Sequence, residues 1–112
     1  MMARIMGLAT VSPRALDELV RANAVVVFDV NSRQSWTKAH VPGAKHVDQN
    51  VGEADLPANK SAALVFYCGN PLCRKAPNAA RRAQALGYAN VRVMSAGING
   101  WLAARLPTES GE

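Results

Sequence analysis

The sequence has only two cysteines among its 112 residues, and phenylalanine, tryptophan and tyrosine together make up 5% of it. Two cysteines are far too few for a small fold held together by disulfide bonds. No apolar run approaches the roughly 18 residues that a membrane-spanning helix needs. The longest runs, residues 24–28 and 62–67, have the length of strands. Internal repeats and Gly/Ser/Pro-rich linkers are also missing, so we expect neither a membrane protein nor several domains.

The composition that is present suits one globular domain. Apolar residues make up 49% of the chain, which is enough for a single hydrophobic core. We expect one domain over residues 1–112, with a core at about residues 10–108 and a frayed tail at 108–112. Residues 1–7 are not followed by the apolar segment of a secretory signal, which predicts a cytoplasmic protein. In that reducing compartment a thiol pair is more often catalytic or redox-active than structural.

The net charge of +5 comes from 13 lysines and arginines against 8 acidic residues. The basic residues are spread along the chain, only Arg74-Lys75 and Arg81-Arg82 are adjacent, and no aromatic residues interleave with them. A nucleic-acid interface would concentrate them on one surface, so we expect no nucleic-acid partner. A local site for a small anion explains the charge better.

Apolar patterns predict strands that alternate with helices. Ser12 and Pro13 mark a helix start, because serine caps helices and proline is tolerated in their first turn. The predicted strands are residues 25–28, 44–47, 64–67 and 91–94, and the other predicted helices are 33–38, 76–86 and 98–105. This order indicates an α/β fold with a mostly parallel central sheet and helices on both faces. Ligands of such sheets bind beyond the carboxyl ends of the strands, where Asp29 and Cys68 fall.

The loop that begins at Cys68 carries the strongest chemical signal. A buried strand leads into Cys68, and the loop after it leads into a helix. Loop N–H groups that point at the sulfur, the helix N-terminus and the Arg74-Lys75 pair would all favour the thiolate. We therefore expect Cys68 to be a nucleophile with a pKa below the usual value of about 8.5. The residues predicted to bind an anionic substrate are Gly69, Asn70, Pro71, Leu72, Cys73, Arg74 and Lys75.

Two other roles for Cys68 stay open at this point. One is that of a small buried apolar residue at a strand end. The other is that of a zinc ligand beside Cys73. Zinc would need further ligands, and only His40 and His46 remain among the histidines. Because Cys-x4-Cys is also a poor zinc spacing, we expect no metal.

Six short motifs follow one another along the chain: VFDV at 27–30, WTKAHVPGA at 36–44, FYC at 66–68, LGYANV at 86–91, AGINGW at 96–101 and LP at 106–107. In order and spacing they resemble the single-domain rhodaneses, which are sulfurtransferases that form a cysteine persulfide. The resemblance implies a rhodanese-like three-layer fold. It also implies that Cys68 takes sulfur from a small anionic donor such as thiosulfate and passes it to a thiol or cyanide. No cofactor is implied.

The chain departs from the family pattern at two positions. Asn31 stands where most active members have arginine, two residues after Asp29, and we expect Asp29 and Asn31 to orient the cysteine loop. Cys73 gives the loop the form Cys-x4-Cys. We expect Cys73 to be a resolving thiol that forms a disulfide with Cys68, and the alternative is an inert, packed side chain. His40 is predicted to bond locally in a turn rather than to act as a base.

Two other functions remain open on the sequence. Cys68 and Arg74 form Cys-x5-Arg, the spacing of cysteine-dependent phosphatases and of some arsenate reductases, in which the arginine binds the oxyanion. Against this, residues 69–73 contain no carboxylate that could serve as a general acid. The other is a non-enzymatic thiol redox or sulfur-carrier module that uses Cys68 and Cys73. The sequence does not specify the donor or the acceptor, and we expect a monomer or a weak dimer.

Overall fold

The computed structural model describes residues 4–5 and 7–111. Its strands are β1 (Arg4–Ile5), β2 (Leu8–Thr10), β3 (Val26–Asp29), β4 (Lys45–His46), β5 (Leu64–Tyr67) and β6 (Val91–Val93). Its helices are α1 (Pro13–Arg21), α2 (Arg33–Lys38), α3 (Lys75–Ala85) and α4 (Gly97–Ala103), with a short 3-10 turn at Glu53–Asp55. None of these helices is long and apolar enough to cross a bilayer.

The strands of the described residues form one sheet in the order β1-β2-β6-β5-β3-β4. All neighbours pair in parallel except β1 and β2, which are antiparallel at one edge. The predicted α/β fold with a mostly parallel sheet is therefore confirmed. The strand β5 lies in the interior of the sheet between β6 and β3, so the residue that follows it is delivered to the middle of the carboxyl edge.

Side chains alternate between two apolar cores, one on each face of the sheet. On one face Phe28 and Phe66 pack with Ala79, Ala80 and other alanines of α3. On the other face Val27, Val65 and Tyr67 pack with Leu16 of α1 and Trp101 of α4. Two buried faces explain why the strand sequences are continuously apolar rather than alternating. The expectation of helices on both faces is confirmed.

A local signal accounts for the start of α1, whereas α3 starts without a side-chain cap. The Ser12 hydroxyl accepts a hydrogen bond from the Ala15 N–H at 3.1 Å, and Pro13 occupies the first helical position of α1, as predicted. The helix α3 begins at Lys75, one residue before the predicted start, and its cap residue Arg74 makes no side-chain capping bond. The N–H groups of the first turn of α3 thus lie directly after the cysteine loop.

The end of the chain differs from the expectation of a frayed tail. Glu109 pairs with His40 through two backbone hydrogen bonds of 2.9 Å, and the Gly111 N–H donates to the Thr37 carbonyl at 2.8 Å. The Glu109 carboxylate also accepts a bond from the Gly43 N–H. Residues 109–111 are therefore tied to the segment around His40, because that segment offers unpaired backbone groups that a polar tail can bond.

Candidate active site

Polar and reactive groups meet at the carboxyl edge of the sheet. β3 ends at Asp29, β5 leads into Cys68, and β6 leads into Met94 and Ser95. The Met94 N–H donates to the Phe66 carbonyl at 3.0 Å, which keeps the ends of β5 and β6 side by side. The structure thus places Cys68 at the crevice where parallel sheets bind their ligands.

Cys68 and Cys73 are joined by a disulfide bond, and their Cα atoms are 6.3 Å apart. That separation lies within the range of about 4.4–6.8 Å that disulfides span. Cys68 is 3% exposed and belongs to the core on the α3 side, and the partly buried Cys73 packs against the same core. The two bonded sulfur atoms therefore lie together at the base of the loop. The structure shows the loop in its oxidised form.

Asn70 organises the turn between the two cysteines. Its side-chain oxygen accepts a bond from the Leu72 N–H at 2.9 Å, and its carbonyl accepts one from the Cys73 N–H at 3.1 Å. We predicted that successive loop amides would point at the Cys68 sulfur. In the oxidised loop the amides of Leu72 and Cys73 are instead bonded to Asn70, since the asparagine offers two acceptors at the distance of a tight turn.

The start of α4 holds the backbone on the other side of Cys68. The Ile98 N–H donates to the Cys68 carbonyl at 2.8 Å, and the Asn99 N–H donates to the Gly69 carbonyl at 3.0 Å. The backbone of Gly97 lies directly against that of Gly69. This close contact between Gly97 and Gly69 is not predictable from the sequence, although Gly97 belongs to the AGINGW motif.

A small, mostly apolar pocket opens beside the disulfide. Of the predicted substrate-binding residues, Asn70, Pro71 and Cys73 line it together with Cys68. The remaining lining residues come from the start of α3 and the end of β6, and no sequence motif predicts a function for them: Ala76, Pro77, Val93, Met94 and Ser95.

The other predicted binding residues lie away from this pocket. The side chain of Leu72 is 91% exposed at the tip of the loop, and Arg74 is also exposed. Lys75 lines a separate groove of about 250 Å³, beside Asn31 and His46. Neither basic residue of the loop lines the pocket, which suits attraction of an anion better than a close grip on it.

The buried carboxyl group of Asp29 links the end of β3 to the end of β5, just before the cysteine loop. It accepts bonds from the Tyr67 hydroxyl at 2.7 Å and from the Asn31 N–H at 2.8 Å. Burial raises the pKa of Asp29, while the bond from Tyr67 acts in the opposite direction. The Asn31 side-chain oxygen lies 3.5 Å from the position that a Cβ atom on Gly69 would take. Asn31 thus lies beside Gly69 and Asp29 lies behind Asn31, and the orienting role of the two residues stays a prediction.

His40 lies outside the site. Its Nδ1 atom is 2.7 Å from the Trp36 carbonyl oxygen, and its ring stacks on the Trp36 ring. The prediction of a locally bonded turn histidine is confirmed. The described residues include no group of three or more His, Cys, Asp or Glu side chains arranged to hold a metal ion.

A family model described as "Rhodanese-like domain" matches residues 12–104 of the chain. A thiosulfate sulfurtransferase, GlpE of Ectopseudomonas mendocina, is 29% identical over 109 residues, which cover 91% of this chain and 91% of that protein.

Solved structures agree with this match. The human single-domain sulfurtransferase TSTD1 superimposes with a TM-score of 0.71 at 25% identity, over 84% of this chain and 95% of that one. The BH2092 protein of Bacillus halodurans has a TM-score of 0.82 at 23% identity, over 90% of this chain and 76% of that one. The BH2092 comparison supports the fold.

Proposed function

Because the chain belongs to the family of rhodanese-like domains, we propose that it is a sulfurtransferase that carries sulfane sulfur as a persulfide on Cys68. The observation that carries the proposal is the position of Cys68. It follows the interior strand β5, borders a pocket, and has its backbone held by the N–H groups of α4. The similarity to a thiosulfate sulfurtransferase supports thiosulfate as the donor.

The proposed reaction is a double displacement on the reduced loop. The Cys68 thiolate attacks the outer sulfur of thiosulfate, the sulfur–sulfur bond of thiosulfate breaks, and sulfite leaves with the bonding electrons. A thiol or cyanide then attacks the terminal sulfur of the persulfide and regenerates the Cys68 thiolate. The start of α3, Arg74 and Lys75 supply positive potential for the anionic donor. This chemistry needs no cofactor.

We also propose a cytoplasmic environment for the protein. In a reducing cytoplasm the disulfide between Cys68 and Cys73 would be a transient state of the loop, since thiols predominate there. All the groups named above come from one chain, so a monomer suffices. The partners are then a small anionic sulfur donor and a thiol or cyanide acceptor.

The oxyanion-enzyme alternative has less support. A phosphatase or arsenate reductase of the Cys-x5-Arg type requires the arginine to grip the oxyanion beside the nucleophile. Arg74 is exposed, and the pocket beside Cys68 is lined by other residues. No carboxylate lines that pocket either, so it lacks a general acid.

One experiment tests the proposal. The protein is reduced, freed of reductant without oxygen and incubated with thiosulfate, and sulfite and intact mass are then measured. We expect sulfite release from the wild type and from Cys73→Ser, with one added sulfur atom on Cys73→Ser that cyanide removes as thiocyanate. Cys68→Ser is the matched variant and should give neither. Sulfite release by folded Cys68→Ser, or hydrolysis of an aryl phosphate faster than thiosulfate turnover, would contradict the proposal.

A further inference from the structure

The disulfide bond shows that the loop can bring the sulfur atoms of Cys68 and Cys73 into direct contact. The turn that joins them is closed by Asn70, and the carbonyl of Cys68 is held by the Ile98 N–H. The Cα separation of 6.3 Å lets the thiols meet with both anchors intact. The second thiol is therefore within reach of the sulfur that would carry the persulfide.

We infer that Cys73 gives the protein a further activity: it attacks the Cys68 persulfide and releases hydrosulfide. The inference rests on the proposed function, because it starts from the persulfide. It makes the chain a thiosulfate reductase that runs on an external dithiol, in addition to a sulfurtransferase.

The step balances as a thiol–disulfide exchange. The Cys73 sulfur attacks the Sγ atom of Cys68, the bond between Sγ and the terminal sulfur breaks, and the terminal sulfur leaves as hydrosulfide. The thiol proton of Cys73 ends on that sulfur when the persulfide is an anion. Both cysteine sulfurs are oxidised to the disulfide, and the terminal sulfur is reduced from sulfane to sulfide. Hydrosulfide is a weaker base than an alkyl thiolate, which favours its departure.

This route and transfer of the terminal sulfur to Cys73 give different products. Attack on the terminal sulfur would produce a persulfide on Cys73 and leave Cys68 as a thiolate, with no bond between the two Sγ atoms. The bond between Cys68 and Cys73 is the bond that attack at the inner sulfur would form. The route to hydrosulfide is therefore the one whose product the loop accommodates.

The two cysteines differ in exposure, and this difference indicates how the cycle closes. Cys68 is 3% exposed, whereas Cys73 is partly exposed and follows the exposed Leu72. One thiol of an external dithiol attacks Cys73 from solvent, and Cys68 leaves as the thiolate that the next turnover needs. The second thiol of the dithiol then resolves the mixed disulfide on Cys73. In sum, thiosulfate and a dithiol give sulfite, hydrogen sulfide and the oxidised dithiol.

A single-turnover experiment without reductant tests the inference. Wild type, Cys73→Ser and Cys73→Ala are reduced, freed of reductant without oxygen, and mixed with one equivalent of thiosulfate. Sulfite, hydrosulfide and intact mass are followed in time, and a wild-type sample without thiosulfate is kept in parallel. Circular dichroism checks the fold of each variant.

We expect the wild type to release one hydrosulfide for each sulfite and to finish as the disulfide form. Both Cys73 variants should release sulfite, retain the added sulfur and lose it to cyanide, with hydrosulfide at least about ten times slower than in the wild type. A wild-type persulfide as long-lived as that of the variants would overturn the inference and leave the proposed function standing. Disulfide that forms equally fast without thiosulfate would overturn it as well. Absence of sulfite from every sample would instead contradict the proposed function itself.

Discussion

Gly97 packs against the carbonyl group of Gly69 with no space for a side chain between them. A Cβ atom on Gly97 would stand 2.5 Å from the Gly69 carbonyl carbon and 2.6 Å from its oxygen. The backbone of Gly97 also has φ of +67°, a conformation that costs other residues of the order of 1–3 kcal/mol. The contact closes α4 onto the peptide group between Gly69 and Asn70, one residue after Cys68.

We predict that Gly97→Ala displaces the cysteine loop. Gly43→Ala is the matched control, because Gly43 has φ of +80° but open space around its Cβ position. Gly97→Ala should lower the free energy of unfolding by at least about 2 kcal/mol more than Gly43→Ala does, and persulfide formation should fall at least about tenfold. Urea unfolding and single-turnover sulfite release measure the two effects. Equal losses in both variants would show that the close approach does not matter.

Removal of the Tyr67 hydroxyl should destabilise the protein in a pH-dependent way. That hydroxyl donates to the buried Asp29 carboxylate and accepts the N–H of the buried Val41. Tyr67→Phe leaves both groups short of a partner, so we expect a loss of about 3 kcal/mol at pH 8. Tyr88→Phe is the control: its hydroxyl donates to the Pro57 carbonyl, and its loss should cost about 1 kcal/mol at any pH.

The sign of this pH dependence follows from Asp29. Burial raises its pKa in the folded state above that of the unfolded chain, so the stability from the bound proton is lost as the pH rises through the folded pKa. Without the Tyr67 bond the pKa of Asp29 rises further, and that loss grows. Tyr67→Phe should therefore cost more at pH 8 than at pH 4. Urea unfolding at the two pH values measures this, and an equal cost at both would contradict it.

Arg74 is expected to attract the anionic donor without holding it. Its side chain is exposed at the start of α3, outside the pocket beside Cys68. Arg74→Ala should raise KM for thiosulfate by about 2- to 5-fold with little change in kcat, and the effect should shrink at high salt. Arg14→Ala removes the same charge from α1 and should leave KM unchanged. A collapse of kcat in Arg74→Ala would instead favour an arginine that grips the substrate.

Mild peroxide should convert the reduced wild type into the disulfide form, and a thiol reductant should reverse the change. In Cys73→Ser the sulfenic acid on Cys68 has no thiol partner in the loop, so it should proceed to sulfinic acid. Peptide mapping after peroxide treatment distinguishes the two products. A free Cys73 beside a sulfinic acid on Cys68 in the wild type would rule out the resolving role.

Much of the fold could be predicted because its signals are local. Short stretches of sequence are enough to predict β3 and β5 from their apolar runs and α3 from the spacing of its alanines. The strand β2 is not, because Leu8–Thr10 is extended by its parallel pairing with β6, more than eighty residues later in the chain.

Some features of the candidate site are likewise predictable from local sequence, and others depend on distant segments of the chain. The position of Cys68 after a strand follows from its neighbours, and the short loop between the cysteines makes their pairing possible but leaves an inert Cys73 open as well. The contact of Gly97 with Gly69 and the bonding of Glu109 to His40 depend on segments that only the folded chain brings together. The direction of the Arg74 side chain depends on how α3 leaves the loop, which the sequence pattern does not encode.

The central position of β5 has a consequence for hydrogen exchange. Its amides are paired within a sheet that extends on both sides of it, and its four side chains are fully buried. Such amides exchange with solvent only when much of the domain opens, whereas the amides of Leu72 and Cys73 are bonded only to Asn70 within the loop, so a local opening of the loop exposes them. Deuterium uptake would thus divide the site between a slow half that carries Cys68 and a fast half that carries Cys73. Oxidation and reduction of the loop can then proceed while the domain stays folded.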